Sequence, residues 1–94
     1  MNPKVRMIVE EFFPKIIETH IRTRSSIETA KFSLDRYRTM GLQAVRNLPP
    51  AVQQENQDAL DEAYRLAIEK LEEFHAREVS QAGSTVPKKM SEYP

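Results

Sequence analysis

Apolar side chains recur three and four positions apart along most of this chain. Val5, Ile8, Val9, Phe12 and Ile16 form a first run. Ile27, Ala30, Leu34, Tyr37, Gly41, Ala44 and Leu48 form a second, and Leu60, Tyr64, Ala67, Leu71 and Phe74 a third. That spacing is the helical period, and the second and third runs alternate three and four as a coiled-coil seam does. The pattern predicts an all-α protein with helices over about 3–13, 25–47 and 51–79.

Punctuation residues refine the boundaries. Asn2-Pro3 reads as an N-cap followed by proline at the first helical position. Pro14 removes a backbone donor and disfavours helix at Phe13, which predicts a kink or break in the N-terminal helix there. Residues 15–24, KIIETHIRTR, carry two patterns: Ile17, Thr19, Ile21 and Thr23 alternate as on a strand, whereas the surrounding period and the lack of a second strand candidate favour helix. Ser25 and Glu28 stand at capping-box spacing, so either a helix starts afresh at Ser25 or the box is incidental inside a longer one. From Ser80 the period is lost, and 80–94 reads as a disordered tail after a single helical domain over 1–79.

Leu48-Pro49-Pro50 ends one helix and begins the next, because proline suits a first helical turn and fails inside a helix. A connection this short predicts an antiparallel hairpin. Sliding the two seams together pairs Gly41 with Leu60, Tyr37 with Tyr64, Leu34 with Ala67, Ala30 with Leu71 and Ile27 with Phe74. Three of those levels set a small residue against a large one, as close packing requires. The same register places Arg38 beside Asp61.

Two helices leave much apolar surface uncovered. Phe32, Leu42, Val45, Leu66 and Ile68 lie off the seam. The N-terminal segment adds Val5, Ile8, Val9, Phe12, Phe13, Ile16, Ile17 and Ile21. Each large side chain buried is worth roughly 1.5–3 kcal/mol. The expected solution is an N-terminal helix laid over the hairpin and a homodimeric helical bundle. Val5, Ile8, Val9, Phe12, Phe13, Ile16 and Ile17 are then the candidate partner or dimer interface.

Composition narrows the function. Ninety-four residues make one domain, 39% hydrophobic and 30% charged, an ordinary balance for a helical protein. The absence of cysteine excludes disulfides, thiol catalysis and cysteine-held zinc, and it fits a reducing, cytoplasmic setting. Glu10 and Glu11 interrupt the apolar start, which argues against a signal peptide or a membrane span.

Catalytic constellations are not visible. His20 and His75 have no metal-motif spacing and read as two partly exposed histidines. Asp58, Asp61 and Glu62, like Glu69, Glu72 and Glu73, stand at magnesium-holding intervals, but such spacing is commonplace on a solvated helix face. With no glycine-rich phosphate loop, no enzyme activity, metal or cofactor is expected. Net charge is zero, yet residues 1–50 carry nine basic groups against five acidic, and residues 51–94 the reverse. Arg22, Arg24, Lys31, Arg36, Arg38 and Arg46 could track phosphates as a nucleic-acid-binding dimer. Against this, Arg24, Glu28, Lys31, Asp35 and Arg38 alternate in sign like a self-paired solvent-facing stripe. The reading that remains is a non-enzymatic module that binds a larger protein as adaptor, inhibitor or regulator, with nucleic-acid binding as the alternative.

Overall fold

The computed structural model describes the backbone of residues 1–92 and the side chains of residues 1–80. All regular elements among them are helical: α1 (Pro3–Met7), one π-helical turn (Ile8–Phe12), α2 (Phe13–Thr23), α3 (Ile27–Ala44) and α4 (Pro50–Glu92). Most of the tail expected from Ser80 lies outside the residues whose side chains are described.

Asn2 starts α1 as the sequence predicts. Its Oδ1 accepts from the backbone N–H groups of Lys4 at 2.8 Å and Val5 at 3.3 Å, with Pro3 in the first turn where no N–H is needed. The backbone N–H of Asn2 donates to Asn56 Oδ1 at 2.8 Å, and Asn56 Nδ2 donates to the Val52 carbonyl at 2.8 Å. Asn56 is fully buried, so these bonds fasten the N-terminus to α4 where water cannot substitute.

Pro14 does not end the helix. It sits in the first turn of α2, and the preceding turn widens: the Phe13 N–H reaches back five residues to the Ile8 carbonyl. A π turn is one way a helix accommodates the donor and the ring volume that proline disturbs. Residues 15–23, ambiguous in the sequence, continue as α2, which stops where Arg24 enters the left-handed region at φ 56° and donates its N–H to the His20 carbonyl at 2.8 Å.

The cap of α3 falls one residue later than the capping box predicts. Ser26 Oγ accepts from the Thr29 N–H at 3.1 Å, whereas Ser25 Oγ is engaged by His20 Nδ1 at 3.2 Å. A tertiary contact with α2 therefore moves the helix start. Ser26→Ala is expected to lower stability by about 1 kcal/mol, measured as a lower urea midpoint at unchanged slope.

α3 closes at Ala44, three residues short of expectation. Pro49 and Pro50 have no N–H to offer the carbonyls four residues back, and the chain tightens instead: Leu48 N–H bonds the Val45 carbonyl at 3.1 Å. α4 then begins at Pro50, and its first turn is fixed by the Gln53 N–H on the Pro49 carbonyl at 2.8 Å.

α3 and α4 pack side by side. Arg38 meets Asp61 at 2.9 Å and Lys31 meets Glu72 at 3.0 Å, so descending positions on one helix match ascending positions on the other. Leu60 lies directly on Gly41; a Cβ at that glycine would stand 2.7 Å from Leu60 Cδ1. The N-terminal helices cover this pair. Val5, Ile8, Phe13 and Ile17 join Ile27, Ala30, Leu34, Val45, Leu60, Ala67 and Leu71 in one core.

Candidate functional site

The seven N-terminal residues expected at a partner or dimer interface are placed mostly in the chain's own core. Val5, Ile8, Phe13 and Ile17 are buried within it, and Val9, Phe12 and Ile16 pack half-buried against it. Phe12 lies 4.9 Å from the Tyr37 ring and Phe13 6.4 Å from the Tyr64 ring, centre to centre. A third helix over the other two is what uses this face, so polar substitutions at Phe12 or Phe13 would test folding before binding.

The surface left over lies alongside, between α2 and α4. Val9, Phe13, Pro14, Ile17 and Ile21 form one wall, and Ala63, Leu66, Ala67 and Lys70 the other, of a groove of about 670 Å³. Its origin is local. Ala63 and Ala67 are four residues apart on the side of α4 that faces α2, and two methyl groups cannot fill the space that larger side chains would. Phe13, Ile17 and Ala67 form the floor, while Leu66 and Ile21 stand beside it, 46% and 40% exposed. Glu18, Arg22 and Lys70 complete the lining. Sequence reasoning found Leu66 and Ile21 as apolar residues without a place. It missed Ala63, whose only signal was its distance from Ala67.

The charged candidates resolve differently. Arg24 pairs with Glu78 at 3.4 Å and lies 5.1 Å from the centre of the Phe74 ring. Lys31 pairs with Glu72, and Arg38 with Asp61 while lying 5.1 Å from the centre of the Tyr64 ring. The sign-alternating stripe of α3 is thus paired across to α4 rather than along itself, because the acids of α4 lie beside it. Arg22, Arg36 and Arg46 are exposed and carry no ion pair among the described residues. Half of the candidate phosphate contacts are already neutralised.

Five of the six candidate carboxylates are engaged by amide or basic side chains, Glu72 by Lys31 among them. Asp58 accepts from Gln54 at 2.9 Å and Asp61 from Arg38, and Arg65 lies between Glu62 and Glu69. The Arg65 guanidinium holds the Glu62 carboxyl below its ordinary range, by hydrogen bond first and charge second. Among the described residues no three acidic or histidine side chains come together as a metal site. His75 is exposed, but His20, expected to be partly exposed, is buried: Ser25 bonds its ring and Phe74 lies edge-on at 5.7 Å.

No helix among the described residues is long and apolar enough to cross a membrane. No family model, curated protein or solved structure matches the chain.

Proposed function

We propose that this chain is a small, non-enzymatic, cytoplasmic protein-binding module that acts as adaptor, inhibitor or regulator of a larger protein through the α2–α4 groove. The observation that carries this reading is the groove itself: an open apolar channel between two helices, with large aliphatic side chains at its edge and a few charges to orient an occupant. Helix-in-groove recognition uses this kind of surface. In this reading α3 and α4 form an antiparallel hairpin, with α2 running alongside α4 to make the groove. The homodimeric bundle expected from the excess of apolar residues belongs to the same reading, since further helices would complete the groove. Nucleic-acid binding is the weaker alternative, because Arg24, Lys31 and Arg38 are held by acids of α4.

The test is capture of partners by the tagged chain from lysate of its host, with and without nuclease, using wild type and the Ile21→Glu/Leu66→Glu variant. Both substituted side chains are substantially exposed, so the variant should keep its helical circular-dichroism spectrum. A stoichiometric protein that survives nuclease and is lost by the variant is the expected result. Capture unaffected by the variant, or dependent on nucleic acid, would overturn the reading.

A further inference from the structure

We infer that the occupant of the groove is the same groove of a second copy, related by a two-fold axis running along the helices, so that α2 of each copy packs on α4 of the other. This rests on the reading of the groove as a docking surface and names what docks there.

Register and charge make the groove complementary to itself. α2 runs alongside α4 in the same direction: Phe13 meets Tyr64 and His20 meets Phe74, an offset of 51 to 54 residues. At that offset Glu18 lies level with Lys70, and both line the groove. Both are exposed, and neither has an ion pair among the described residues. The two walls therefore carry opposite signs at this level, while the floor between them is apolar. An isologous contact requires a surface complementary to itself. A two-fold axis along the groove exchanges the walls and keeps the levels. Glu18 of one copy then faces Lys70 of the other, and this contact occurs twice. Leu66 comes over Pro14 at the level below, which removes from water the aliphatic surface that the single chain leaves exposed. Self-association and capture of a larger partner then compete for one surface.

Charge reversal tests this geometry because the walls are exchanged. In a Glu18→Lys dimer both symmetric contacts become lysine against lysine, and in a Lys70→Glu dimer glutamate against glutamate. Mixing the two variants restores two opposite-sign contacts in the heterodimer, and the Glu18→Lys/Lys70→Glu double variant restores them in its own homodimer. Sedimentation equilibrium on the full chain is expected to show a wild-type dimer. Dissociation constants should be on the order of tenfold weaker for each single variant, with recovery in the equimolar mixture and in the double variant. All four proteins should keep the wild-type circular-dichroism spectrum, since the substituted residues are exposed. A wild-type chain that is monomeric at every concentration, or a dimer equally tight in all variants, overturns this arrangement. In either case the docking groove itself stands if the Ile21→Glu/Leu66→Glu variant still loses a captured protein, and falls with the arrangement if it does not.

Discussion

Leu60→Ala is expected to lower the free energy of unfolding by about 2–5 kcal/mol. Leu60 has no exposed surface and fills the space over Gly41, where its methyl carbons lie closer than a Cβ on that glycine would tolerate. Truncation leaves two small residues facing one another with Ile8 alongside, and neither helix can close the gap without moving the rest of the core. A domain of this size has about 5–15 kcal/mol in total, so the variant should show a much lower thermal midpoint. The pairing makes a second demand. Gly41→Ala clashes with Leu60 in the wild type but has room in the Leu60→Ala background, where it also gains about 1 kcal/mol of helix propensity. A double-mutant cycle should therefore be strongly non-additive in the favourable direction. Simple additivity would mean that Gly41 and Leu60 do not touch.

The second large effect is electrostatic. Asn56→Asp is expected to cost about 3–5 kcal/mol at neutral pH, because it places a carboxylate in a fully buried position without a cation. Both hydrogen bonds of Asn56 bear on the sign. A protonated aspartic acid can still accept the Asn2 N–H and donate to the Val52 carbonyl, as the amide does. Once ionised it can only accept, and it faces that carbonyl as one negative group against another. Burial raises its pKa in the folded state above the unfolded value of about 4. Below that pH both states are protonated and the variant should approach wild-type stability. As pH rises through the folded pKa, the unfolded state has already released its proton, and stability is lost. Thermal midpoints measured from pH 3 upward should show the difference from wild type widening with pH. A constant difference would mean that position 56 is hydrated. The wild-type Glu62 carries the opposite sign. Arg65 depresses its pKa, so its stabilisation is present at neutral pH and fades as pH falls. On an exposed helix face that contribution is small.

The positions of these two residues show how differently parts of the structure were legible. Leu60 stands on a seam of period three and four, and its contact with Gly41 is the one that small-to-large matching of the two seams predicts. Local chemistry sufficed because proline's missing N–H and the helical period act within a few residues. The same holds for Asn2-Pro3 at the start of α1, where cap and proline are adjacent in sequence. Asn56 gave no such signal: a polar residue in a helix is ordinarily on its surface, and it is the N-terminus, arriving from 54 positions away, that gives its amide oxygen a donor.

The sequence by itself determined an all-helical chain, a helix boundary at Leu48-Pro49-Pro50, and the contacts of Gly41 with Leu60 and of Arg38 with Asp61. Tertiary structure decided the rest. It left the N-terminal helix unbroken at Pro14, where the irregularity that local rules predicted takes the form of one widened turn. It moved the α3 cap from Ser25 to Ser26 because a buried histidine claims the first hydroxyl. It also drew the phenylalanine-rich face inward and left the groove of Ala63, Leu66, Ala67 and Ile21 outside. Period shows which residues share a helix face, but which of two apolar faces is covered depends on how neighbouring helices fit, and that fit was set by two alanine side chains too small to fill the space beside α2.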